Sequence, residues 1–341
     1  MLNVISRPLV RLVDRWLPDP YIFVVLLTMV VMIAAIGIEG HGPLAVIAMW
    51  GAGFWELLSF SMQMLLVLVT GYMMASTPLV RRILERLADL ANSPGAAILL
   101  VSYVSLAASW INWGFGLVVG ALFAKAIARK VQVDYRLLVA SAYSGFIVWH
   151  GGLAGSVPLA IATVGHPFES MIGVIPTDRT IFAGYNLFIV IGLFIAVPLV
   201  NRMMLPKKDE QVLVDPALLA EPELAEITPS TPAERMENSR VLSLLIGVSG
   251  LAFLFQYFLN AGTLTLNIVN FLFLFIAILL HGTPRRLLAS LNEGVKGGAG
   301  IVIQFPFYAG IMAIMLNSGL AETISLAMIS FASAETFPFW T

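Results

Sequence analysis

The chain has 341 residues, 59% of them hydrophobic and 11% charged, with a net charge of −1. An ordinary soluble domain carries about 25% charged residues, so the composition excludes one, and the near-neutral charge gives no support to nucleic-acid binding. Cysteine is absent, which removes disulfides, thiolate metal sites and a cysteine nucleophile together.

In chain order, Arg7, Arg11 and Arg15 precede a first apolar run at 21–38. That run approaches the roughly 20 residues a spanning helix needs. Glu39-Gly40-His41-Gly42-Pro43 follows without a small-residue cleavage site, so the run reads as an uncleaved anchor. Residues 57–79 return to the starting side. Arg81 to Asp89 then alternates charges with apolar residues at helical spacing, the pattern of an interfacial helix.

Residues 97–124 form one long apolar run interrupted by Trp110-Ile111-Asn112-Trp113-Gly114, with basic residues on both flanks. A single crossing would place one flank on the wrong side. Two half-length helices in a re-entrant hairpin over 97–128, with its tip at Asn112, keep both flanks together. Residues 137–163 cross outward, with Trp149-His150-Gly151-Gly152-Leu153-Ala154-Gly155-Ser156 in the middle. Glycine costs a continuous helix about 1 kcal/mol each relative to alanine, so the three here predict a broken helix. Spans at 181–201, 241–259, 264–280 and 298–317 follow, with a polar linker at 205–239.

Threaded this way, eighteen of the nineteen Lys and Arg residues fall on one side, and only Arg179 lies outside. Besides the first arm they are Arg81, Arg82, Arg86, Lys125, Arg129, Lys130, Arg136, Arg202, Lys207, Lys208, Arg235, Arg240, Arg285, Arg286 and Lys296. The bias predicts a multi-pass inner (plasma) membrane protein in a lipid bilayer, with a cytoplasmic N-terminus and linker.

Residues 57–90 and 298–331 share an element order, and Gln63, Leu79 and Ile83 align without gaps to Gln304, Leu320 and Ile324. The amphipathic segment of the first half is basic and that of the second is not. The expectation is an all-α, polytopic transporter built from inverted repeats. It comprises a first repeat at 1–204, the linker at 205–239 and an incomplete second repeat at 240–341. The second repeat stops soon after Pro338, before any counterpart of the hairpin. A longer carrier, with half its site beyond residue 341, is therefore expected, and weak binding without transport by 1–341 alone.

Asn112 is the most informative polar residue in any span. Irregular backbone at membrane depth is tolerated only against protein or a water-filled cavity, and half-helix ends there suit carboxylates or Na⁺. Ser109, Trp110, Trp113 and Gly114 share the break, though Ser109 and Asn112 could equally be packing glue. His150 is the one histidine placed near the midplane, suited to proton relay or to a structural hydrogen bond. Trp149 borders it. Gly151, Gly152 and Ser156 permit close backbone approach to a ligand or to a helix. Gln304, beside Pro306, could reach the site from the second repeat. No Asp or Glu lies within a span.

Arg15-Trp16-Leu17-Pro18-Asp19-Pro20, Ser109-Trp110-Ile111-Asn112-Trp113-Gly114-Phe115-Gly116, Trp149-His150-Gly151-Gly152 and Gln304-Phe305-Pro306-Phe307-Tyr308-Ala309-Gly310 resemble the short-chain fatty acid transporter family along essentially the whole chain. The resemblance implies a bacterial inner-membrane carrier within a superfamily of ion-coupled transporters with inverted repeats and hairpins. Family chains continue past this point into a glycine-rich Pro-Ser-Gly-Gly-Gly segment. The expected activity is uptake of monocarboxylates such as butyrate or acetoacetate, coupled to H⁺ or Na⁺, with no organic cofactor and no metal site. Trp110 and Trp113 are expected to flank the alkyl tail. Another small carboxylate is the alternative substrate. An intramembrane enzyme lacks a nucleophile with a base, and a channel fits the midplane breaks less well. A homo-oligomer is compatible with the sequence.

Overall fold

The computed structural model describes residues 13, 15–166, 168–219, 230–331, 333 and 336. Arg7, Arg11 and the segment from Pro338 onward lie outside them. The described residues form helices and no strand. Six helices are long and apolar enough to cross a membrane: α1 (Pro20–Gly37), α3 (Leu58–Ala75), α5 (Pro94–Ile111), α9 (Gly184–Met203), α11 (Arg240–Leu259) and α14 (Ala299–Asn317). Between them lie α2 (Pro43–Gly53), α4 (Pro78–Ala88), α6 (Trp113–Ala128), α7 (Tyr135–Ser144), α8 (Ser156–Ile161), α10 (Pro232–Glu237), α12 (Leu266–His281) and α13 (Pro284–Lys296). The last is α15 (Leu320–Phe331).

Many helices start at one local device. Asp19, Thr77, Ser93, Thr231 and Thr283 each precede a proline at the first helical position and accept a backbone N–H of the first turn. The cap satisfies a donor that the helix cannot, and proline there forfeits nothing because its missing N–H had no partner. Large apolar side chains such as Phe188, Leu245 and Phe255 stay exposed on α9 and α11. An exposed apolar face of this extent is one that lipid covers.

The chain groups into two compact units, Met1–Pro8 with Leu66–Gly297 and Leu9–Leu65 with Gly298–Thr341. In the second, α1 and α2 pack on α14 around Val31, Ala35, Val46, Ile314 and Leu320. Trp50 lies on Gly310, and His41 bonds the Ser318 carbonyl at 3.1 Å. Helix α2 is an element that the hydropathy reading did not separate from its neighbours.

In the first unit the chain folds back at Asn112, as expected. The limbs, however, are 18 and 16 residues rather than two half-length helices. At 1.5 Å per residue they run about 27 and 24 Å. The limbs meet through small residues. Gly116 lies against the Ser109 backbone and Gly120 against the Ser105 hydroxyl, so that α6 has no room for a Cβ at either position. Such small-residue seams let apolar helices approach closely.

The broken helix is also present: α7 ends at Ser144, a 3-10 turn covers Gly145–Val148, and α8 resumes at Ser156. The break begins earlier than the glycine cluster alone suggests, because Gly145 is pressed against the Ser105 backbone.

Asp134, only 2% exposed, ties the start of α7 to the linker. Its carboxylate accepts the Leu137 and Val212 N–H groups, each at 2.8 Å, and the Arg136 guanidinium at 3.0 Å. Tyr135 N–H donates to the Val212 carbonyl at 2.9 Å. Burial pushes the Asp134 carboxyl up, but these hydrogen bonds outweigh it and hold the group below its ordinary value of 3.8. A depressed folded-state value contributes stability above the unfolded value, and that stability is lost as pH falls through the folded one. Asp134→Ala leaves buried donors unanswered, at a cost of about 1–3 kcal/mol. The expected result is faster proteolysis of the 205–219 segment near neutrality, matched in the wild type only in acid.

Candidate functional site at the hairpin turn

Asn112 is fully buried, with extended backbone, and caps α6 through Oδ1, which accepts the Phe115 N–H at 2.9 Å. That bond fixes the amide orientation and leaves Nδ2 as a donor. Nδ2 has no partner among the described residues, and neither do the Ser109 hydroxyl or the indole N–H groups of Trp110 and Trp113. Four buried polar atoms within five residues are thus unanswered. Each costs about 1–3 kcal/mol when left so. Packing glue would be paired, so the magnitude favours a ligand over glue. Amide and indole nitrogens only donate, and the N-terminus of α6 adds a partial positive charge. The arrangement suits an anion.

Other elements hold the turn in place. Gly114 and Gly71 of α3 leave no side chain between the turn and the α3 backbone. A Cβ on Gly114 would lie 2.5 Å from the Val67 carbonyl oxygen, and one on Gly71 would lie 2.6 Å from the Gly114 carbonyl carbon. The broken segment covers the other side, where Leu153 N–H donates to the Trp110 carbonyl at 2.7 Å. A Cβ on Gly152 would lie 2.9 Å from Trp110 Cα. Gly151 is held by Asn186, whose Nδ2 donates to the Gly151 and Ile181 carbonyls at 3.1 and 2.7 Å. Trp149 Nε1 donates to Ser156 Oγ at 2.8 Å and closes the break on itself.

The structure therefore brings Ser109, Trp110, Asn112, Trp113 and Gly114 together with Trp149, Gly151, Gly152 and Ser156. The Trp113 ring lies 5.4 Å from Trp149 and 6.1 Å from Phe146, which form an aromatic wall beside the turn. His150 is exposed and stacks on Trp149 at 4.2 Å, and its ring nitrogens bond to nothing among the described residues. Gln304 belongs to the other unit and is half-buried on α14. Asn186, Ser105, Gly71 and Phe146 support the site without having been singled out by sequence. Asn186 had one available signal, as a lone amide entering an apolar span. No Asp, Glu, Lys or Arg lies within 94–124 or 137–165.

A family model described as short chain fatty acid transporter matches residues 1–341. A protein of Escherichia coli strain K12 is 44% identical over 348 residues, covering 100% of this chain and 79% of its own length. One from Haemophilus influenzae is 42% identical over 353 residues, with 100% and 79% covered. The names of both assign them, provisionally, to short-chain fatty acid transport. No solved structure matches the chain. With a polytopic helical fold, a full-length family match and two relatives at this identity, the chain belongs to the short-chain fatty acid transporter family.

Proposed function

We propose that the protein takes up short-chain monocarboxylates, such as butyrate or acetoacetate, across the bacterial inner membrane, driven by a gradient of H⁺ or Na⁺. The observation that carries this reading is the set of unanswered buried donors at Ser109, Trp110, Asn112 and Trp113. A carboxylate satisfies donors of this kind, and the wall of Trp113, Phe146 and Trp149 offers an apolar surface for a short alkyl tail. The site supplies no fixed cation, so an anion entering it is best compensated by a co-transported one. Inverted repeats remain the organising proposal for 1–204 and 240–341, with the second site half contributed by the later repeat.

The cytoplasmic placement of the basic end has physical support within the first unit. Arg129 pairs with Glu85 at 2.7 Å and Lys130 with Asp89 at 2.5 Å, so the end of α6 meets α4. Arg136 reaches the Glu210 carbonyl of the linker at 3.3 Å. Basic residues far apart in sequence gather at one end, as a positive-inside membrane protein requires.

The test is counterflow of labelled butyrate in proteoliposomes holding the full-length carrier, under an imposed Na⁺ gradient or an imposed pH gradient. Accumulation with one gradient only identifies the coupling ion, and no accumulation with either sinks the reading. His150→Gln keeps hydrogen bonding but cannot titrate. A flattened pH profile near neutrality in this variant marks proton handling at His150, and an unchanged one favours Na⁺ as the coupling ion.

A further inference from the structure

Helices α4 and α13 are amphipathic and each begins beyond a Thr-Pro cap with a doublet of arginines, Arg81-Arg82 and Arg285-Arg286. The structure packs α13 beside the start of α4. Ser76, just before α4, shares a hydrogen bond with Ser290 of α13 at 2.6 Å. Gly294 of α13 lies on Tyr72 of α3. His281, at the end of α12, donates to the Met73 carbonyl at 2.7 Å and lies within the fields of both Arg81 and Arg286.

Each helix shows three faces. Leu84 and Ala88 of α4, and Ser290 and Gly294 of α13, are buried in the protein. Leu79 (44% exposed) and Ile83 (46%) of α4, with Leu288 (50%) and Val295 (48%) of α13, are apolar and uncovered. The third face is basic. Glu85 and Asp89 are taken by Arg129 and Lys130, and Glu293 by Lys296. Arg285 feels Glu234 of the linker helix α10. Arg82, Arg86 and Arg286 are exposed, and no carboxylate among the described residues pairs with them.

A basic rim beside an apolar strip is complementary to an anionic headgroup above acyl chains. A soluble acidic protein would leave the leucines and isoleucine uncovered, and so would free phosphate. We infer that α4 and α13 together form a binding platform for an anionic phospholipid, which they hold through Arg82, Arg86 and Arg286. This site is separate from the hairpin turn and does not depend on which substrate the turn holds.

The test is native mass spectrometry of the full chain in a neutral detergent, titrated with phosphatidylglycerol or phosphatidylcholine. Phosphatidylglycerol is expected to be retained preferentially. Arg82→Gln, Arg86→Gln and Arg286→Gln combined should weaken it about a hundredfold, at roughly fivefold for each basic side chain near an anionic surface. Phosphatidylcholine binding should be unchanged. The matching triple Lys variant keeps the charge and should keep the preference within about threefold, because the attraction is to charge near a surface. Equal retention of the two lipids, or undiminished phosphatidylglycerol binding by the Gln variant, overturns the proposal. So does loss of the preference in the Lys variant. Displacement of the lipid by inorganic phosphate would show a free-anion site and overturn the lipid assignment.

Discussion

Gly114→Ala is expected to abolish uptake, because the added methyl group has no place to go. Its Cβ would sit 2.5 Å from the Val67 carbonyl oxygen and 2.7 Å from Leu68 Cα, both backbone atoms of α3. A flexible side chain could yield to it, whereas backbone inside a helix cannot. Overpacking of this kind costs about 1–3 kcal/mol, and here the upper end applies. Displacing the turn from α3 also misplaces the donors at Asn112 and Trp113, so uptake should fall more than tenfold while the chain still inserts. Gly192→Ala, on α9, is the control, since nothing lies within 4 Å of a Cβ there. It should be neutral or slightly stabilising, as alanine favours helix over glycine by about 1 kcal/mol. Thermal unfolding in detergent and butyrate counterflow measure both variants. A Gly114→Ala protein with wild-type melting and uptake would show that the turn is not seated on α3.

Asn112→Asp separates the two jobs of the same side chain. Aspartate caps a helix about as well as asparagine, so the bond to the Phe115 N–H persists. What changes is the unpaired atom, where an amide donor becomes a carboxylate oxygen. A hydrogen bond to a charged ligand contributes about 1.5–3 kcal/mol, and its loss, compounded by like-charge repulsion, predicts at least a hundredfold loss of monocarboxylate uptake. Asn112→Ala, by contrast, should lose both stability, by about 0.5–2 kcal/mol, and uptake. Near-normal butyrate counterflow by the Asp variant would place the anion elsewhere.

The fold-back at Asn112 was legible because basic residues flank an apolar run on both sides. The broken helix was legible because Gly151, Gly152 and Gly155 interrupt the next run, whereas its start at Gly145 was not. Limb length was not, since an apolar run has the same composition whether it dips halfway or further. Helix α2 escaped because it is 11 residues long and apolar all round, which removes the periodicity that would have marked it. Gly42-Pro43 was its remaining signal. The roles of Ser105 and Asn186 depend on partners 37 and 35 residues away, and nothing local foretells such contacts. The unanswered donors at the turn were likewise visible only once burial was known.

The Ser105 hydroxyl donates to the Ala142 carbonyl, while Gly120 and Gly145 close on the same serine from two other elements. Both hairpin limbs, α7 and the 3-10 turn are therefore joined at one serine, whose short side chain is all that stands between them. A junction this tight has little intermediate spacing to relax into. The hairpin turn and its aromatic wall are consequently expected to move as a single rigid cartridge. Stiffening the segments that join this cartridge to the rest of the unit, rather than reshaping the turn, is then the expected way to slow transport.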